Sequence, residues 1–319
     1  MTKQVKPKHG MARGPISRKV LSSAHKILRK KVIDISEWRE AKLRAEDFEK
    51  TIVSQDELSK FDPLHGIYVY GQNKMSVFVE QLTELPALLK LTNAYADAQE
   101  EYMPSGPPMS PLTNSYFSCW GFFDLCAGAK RETFGTVAID LCKFFNVDDG
   151  LINIFEQMQN SRMGVYIHEA RSDEYILLRE LITNREIKAV SPSGYKGQQG
   201  EIWLARILPP PFAMEQFNYS VVFTTPYIMG ESKDKHTFSL ATERDWLAYF
   251  ERNAEKTGFD QQILAYEFLM KYGLSRNYWN EYIFLAYVNH RHDMILLSGY
   301  PDILSSLPHS KEGEERLGL

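Results

Sequence analysis

Apolar residues first recur at a helical step near the N-terminus, where Ile16, Val20, Leu21, Ala24, Ile27 and Leu28 follow Pro15, a residue suited to a first helical turn. Arg18, Lys19, Ser22, Ser23, Lys26, Arg29 and Lys30 fall largely on the other side. The pattern predicts a basic amphipathic helix behind a flexible stretch, residues 1–14. A second helix is expected from Ser36, as N-cap, towards Ile52, with Trp38, Ala41, Ala45 and Phe48 inward. Ser54 and Glu57 stand at capping-box spacing. Gly66 to Tyr70 reads as a short strand or turn, and residues 75–101 as helix interrupted at Pro86. The four prolines between Met103 and Pro111 mark a connector. Dense apolar positions then predict helices over 113–127, 134–146 and 149–162.

The texture changes at Gly164. Gly164 to Ala170, Tyr175 to Ile182, Ile187 to Val190, Glu201 to Leu208 and Tyr219 to Met229 are short, apolar and partly β-branched, with turn chemistry between them. Helical patterns return over 242–257, 260–272 and 276–290, followed by a short strand at Met294 to Leu297. The fold class is therefore α+β: helical segments flanking a small antiparallel β-sheet or barrel-like module. The implied division is a basic arm (1–33), a mainly helical region (34–163), the β-module (164–230) and a C-terminal helical region (231–319).

Composition sharpens this picture in two ways. Hydrophobic residues make up 44% of the 319, enough to bury a sizeable core. Aromatic residues from Trp246 to Tyr287 read as the core of the C-terminal helices. No apolar run is long enough to span a bilayer, and no secretory signal is evident. Cys119, Cys126 and Cys142 form no C-x-x-C pair, which predicts free thiols in a reducing, cytoplasmic setting. Spaced by seven, Cys119 and Cys126 would share a face of one helix.

Charge changes the picture more. The net charge of −4 hides ten Lys or Arg and no acid in residues 1–33, leaving 27 basic against 41 acidic residues in the rest. A cationic arm on an acidic body predicts attraction to a polyanion confined to the arm. Arg18, Lys19, Lys26, Arg29, Lys30 and Lys31 are the candidate contacts. Nucleic acid is the leading partner; an acidic protein and an anionic membrane surface are the others. Alternatively, the stripe docks on the body while its cations meet the protein's own carboxylates.

The run Leu178-Arg179-Glu180-Leu181-Ile182-Thr183-Asn184, then Gly197, then Gly200-Glu201-Ile202-Trp203-Leu204-Ala205-Arg206-Ile207-Leu208-Pro209 resembles a small β-module of uncharacterised bacterial proteins, some of which carry a separate zinc-binding SEC-C segment. The resemblance implies a β-fold and a bacterial origin. Without the SEC-C cysteines, no zinc role carries over.

Other constellations are weaker. Gly194 to Gly200 is glycine-rich with one lysine, but lacks the Gly-Lys-Ser/Thr ending of a P-loop and reads as a mobile hairpin loop. Asp173, Glu186 and Lys188 have the residue types of a metal-dependent hydrolase or nuclease. On a strand, His290 and His292 of His290-Arg291-His292-Asp293 would share a face and could ligate a metal, but the run reads as a helix end, where the imidazoles favour the negative pole. His168-Glu169 with Asp173-Glu174 reads as charged surface. No metal or cofactor motif is found, and a scaffold or assembly role is the third functional class.

Overall fold

The computed structural model describes residues 13–29, 53–103, 113–212, 214, 216–232, 238–240, 242–273, 287–290 and 294–298, together with Arg39, Glu40, Leu43, Asp47 and Lys50, which are helical. The expected Ser36 cap, most of the proline connector, Lys30, Lys31 and Arg291 to Asp293 lie outside these residues.

The helical half is built from α1 (Pro15–Leu28), α2 (Gln55–Leu58), α3 (Pro63–Leu82), a 3-10 turn at Pro86–Leu88, α4 (Leu89–Tyr102), α5 (Asn114–Phe123), α6 (Phe134–Phe144) and α7 (Asp149–Asn160). The Ser54–Glu57 capping box forms as expected. Gly66 to Tyr70 is not a strand or turn: Asp62 accepts from the backbone N–H groups of Leu64 and His65, and Pro63 starts an α-helix through the glycine. Tertiary packing overrides the weak helix propensity there, since Leu64, Tyr68 and Met75 are fully buried. Helix α5 is buried on nearly every side. It separates two cores, one shared with α3, α6 and α7, the other with the sheet and the C-terminal helices. Because α5 ends at Phe123, Cys126 is not on that helix with Cys119. All three cysteines are free, and burial pushes the Cys119 thiol up to about 11.

The β half closes on itself. Strands β1 (Met163–Arg171), β2 (Ile176–Glu180), β3 (Glu186–Val190), β4 (Ile202–Leu208) and β5 (Ser220–Val222) form the ring β1-β2-β3-β5-β4, which closes because β4 also pairs with β1. The β3–β5 pair is parallel; the other four are antiparallel. Residues alternate as the pleat requires. Tyr166, Leu178, Ile187, Ala189, Trp203 and Ala205 fill the interior, whereas Val165, Ile167, Ile202 and Leu204 face outward against α5 and the C-terminal helices.

The expected strand Tyr219–Met229 is divided: Phe223 to Pro226 separate β5 from β6 (Tyr227–Ser232). Strand β6 extends the sheet, pairing with β4, with β7 (Phe238–Leu240) and in parallel with a C-terminal strand, Ile295–Ser298. Helices α8 (Glu243–Ala254) and α9 (Gln262–Tyr272) cover it. The third expected C-terminal helix is corrected at its end, because Tyr287–His290 is strand β8, paired with β9 (Ile295–Ser298). His290 therefore closes a strand, not a helix.

Two buried ion networks fasten these parts together. In the first, Asp124 after α5 bonds both the Arg206 guanidinium on β4 and, at 2.6 Å, Lys271 Nζ on α9. Lys271 also donates to the carbonyls of Gln159 and Ser161. In the second, Arg162 donates to Glu180 and to both oxygens of Glu267, while its guanidinium lies over the Tyr266 ring.

Burial draws the Lys271 ammonium down to about 8, with Asp124 opposing the shift. The folded state thus holds this proton less tightly than the unfolded chain, so the cost of the buried charge is present in full below pH 8 and disappears as pH rises. Stability should gain about 2 kcal/mol between pH 8 and 10. Urea melts across that range check this, and the Lys271→Met variant should lack the rise.

Candidate functional site

Helix α1 is seated by a device that its own sequence does not contain. The turn between Ala127 and Glu132, closed by reciprocal backbone hydrogen bonds, aims the buried Glu132 carboxylate at the first turn of α1. Its oxygens accept from Ile16 N at 2.9 Å and Ser17 N at 2.8 Å. A carboxylate there satisfies orphan N–H groups and favours the positive pole of the helix. Gly14 makes room, since an added Cβ would lie 2.0 Å from Glu132 Cδ. Ser17, Val20 and Leu21 are buried against α6 and its neighbours, His25 sets its ring 4.4 Å from Phe144, and Arg13 pairs with Asp140. Only the first two turns of the apolar stripe dock: Ile27 and Leu28 are exposed, at 64% and 63%.

The basic face points the other way. With about 3.6 residues per turn, Arg18, Lys19, Lys26 and Arg29 fall within an arc of about 100° opposite the buried stripe, spread along about 16 Å of axis. All four are exposed. Arg18 Nε donates to the Gly14 carbonyl, and none of the four pairs with a carboxylate among the described residues. Among the described residues of the arm, Arg13 alone meets one of the protein's own carboxylates, as that alternative expects. The candidates Lys30 and Lys31 lie beyond the described part of the helix.

The carboxylate–lysine candidates are spread between the β1–β2 turn and β3. Glu186 and Lys188 share the outer side of β3, paired in register with Arg179 and Leu177. Asp173 lies in the β1–β2 turn, at the opposite end of β2 from Glu186. All three side chains are exposed, and Lys188 Nζ sits 3.8 Å above the Tyr175 ring. Among the described residues, no three His, Cys, Asp or Glu side chains are grouped to hold a metal ion.

The glycine-rich segment is a stopper and His168 is not a surface residue. His168 is buried in the end of the barrel, its Nε2 2.9 Å from the Lys196 carbonyl and its ring tilted against Trp203. Glu201 accepts from Tyr195 Oη and Trp203 Nε1. Gly197, at φ +71°, lies so close that an added Cβ would meet His168 Cδ2 and Trp203 Cζ2 at 2.6 Å. Strain and clash together predict that Gly197→Ala costs about 2 kcal/mol or more, read as a shift in the denaturation midpoint. The sequence hid this role because His168 alternates with outward-facing Ile167 and Glu169, and only the barrel's closure reveals which face is inside.

No protein-family model matches the chain, and neither the curated proteins nor the solved structures compared with it contain a significant match, so its residues are read on their own chemistry.

Proposed function

We propose that this is an interaction protein that grips an anionic partner, nucleic acid before any other, through the outward face of α1. The observation that carries the reading is the set of four exposed cations, Arg18, Lys19, Lys26 and Arg29, unpaired with carboxylates among the described residues on a helix whose opposite face is buried. A duplex presents one negative charge per about 1.7 Å of axis, so a 16 Å row of cations can neutralise several phosphates and release their counterions. The remainder of the chain, with 27 basic and 41 acidic residues, repels the same polymer and confines contact to the arm. The setting that goes with this reading is a bacterial cytoplasm. No helix among the described residues is long and apolar enough to cross a membrane.

The partner class is tested by titrating the intact protein into a labelled 20-base-pair duplex and, separately, into labelled polyglutamate at 50 mM salt. Micromolar affinity for the duplex with weaker binding of polyglutamate is expected. Preference for polyglutamate would transfer the reading to an acidic protein, and no binding to either would reject it.

A further inference from the structure

The stopper closes one end of the barrel; the other end is open. Around the start of β1, the end of β4 and the start of β3 lies a cavity of about 420 Å³, within the size range of small-molecule sites. We propose that this mouth binds a small organic anion, a carboxylate or phosphate ester, whose oxygens meet the Tyr166 hydroxyl at the floor and Arg185 and Lys188 at the rim.

Tyr166 is the first support. It is 2% exposed and its ring fills the barrel interior, and its hydroxyl, bonded to no group among the described residues, is at the cavity. The hydroxyl is reached from the cavity and is not itself a sealed, unsatisfied group, so it is free to hydrogen-bond a ligand atom placed there, as the few polar groups of a small-molecule site do. Charge gives the second support. The lining carries Arg162, Arg185 and Lys188 against Glu186 and Glu267. Both Glu267 oxygens are taken by Arg162, whose remaining bonds go to Glu180 and the Met163 carbonyl. Arg185 is 63% exposed with one long contact, 3.5 Å, to Glu180. Arg185 and Lys188 therefore outnumber Glu186, the one carboxylate of the lining without a partner. Arg185 brings a guanidinium fork to the rim, and Lys188, whose Nζ lies 3.8 Å over the Tyr175 ring, adds a second positive charge there, a combination that suits a carboxylate or phosphate head. None of these residues belongs to α1, so the site stands apart from the polyanion reading.

The test is calorimetric titration of the intact protein with succinate, glycerol 3-phosphate and, as the uncharged control, glycerol. At least one anion should bind with submillimolar affinity and glycerol should not; which anion binds tells carboxylate from phosphate. Tyr166→Phe and Arg185→Gln should each weaken that binding about tenfold. Tyr166→Phe breaks no internal hydrogen bond, so its Tm should be unchanged or higher; a merely structural tyrosine would not separate affinity from stability in this way. Anions that bind no better than glycerol, or affinity unchanged in either variant, would overturn the proposal.

Discussion

Asp124→Ala is expected to cost about 3 to 5 kcal/mol, the largest single-residue loss anticipated in this chain. Asp124 is 4% exposed and, among the described residues, is the only carboxylate bonded to Arg206 and Lys271, which are themselves 1% and 8% exposed. Removing it leaves two cations in a low-dielectric junction with only neutral partners: Ser161 Oγ for Arg206, and the carbonyls of Gln159 and Ser161 for Lys271. The three charged residues come from the end of α5, from β4 and from α9, so the helical layer, barrel and C-terminal cover should loosen together. Urea unfolding followed by tryptophan fluorescence measures the loss. Replacing all three by apolar residues of similar size, as in Asp124→Leu with Arg206→Met and Lys271→Met, should recover most of it, because the desolvation cost of the ions then disappears. If the single variant costs under 1 kcal/mol, the junction is not held by these charges.

The second large effect concerns binding. Changing Arg18, Lys19, Lys26 and Arg29 together to Gln should lower affinity for a 20-base-pair duplex at least about 100-fold at 50 mM salt. All four side chains are exposed and Gln is a good helix former, so Tm should move by no more than about 2 °C. Substitution is a cleaner probe than removing the arm, because Val20 and Leu21 belong to the core and their loss would open it. Equal affinity in the variant would move the site away from α1.

Much of this fold is legible in the chain. The amphipathic step of α1, the Ser54–Glu57 box, the interruption at Pro86 and the alternating strands of the β-module are local signals, and local signals survive folding. The misses share a cause in long-range contacts. Gly66 lies in a helix because Tyr68 and Met75 are drawn into a core assembled from distant helices. His168 is internal because β4 returns to pair with β1 and closes the ring. Glu132 caps α1 from 115 and 116 residues away, and nothing near Pro15 announces it. The candidate contacts on α1 were legible because charge segregation needs no tertiary structure to be seen; that Arg18, Lys19, Lys26 and Arg29 meet no carboxylate among the described residues required it. Tyr166 reads as one more core aromatic until the cavity beside its hydroxyl is known.

Salt is the most direct probe of the central claim, that outward cations on a docked helix meet a polyphosphate. Affinity of the unaltered protein for the duplex should be measured between 50 and 200 mM salt. Four phosphate contacts give a slope of log affinity against log salt of about −3.6, or roughly a 150-fold loss across that range, and contacts from Lys30 or Lys31 would steepen it. A slope shallower than about −1 would contradict the account, since binding would then owe little to the displaced counterions on which it rests.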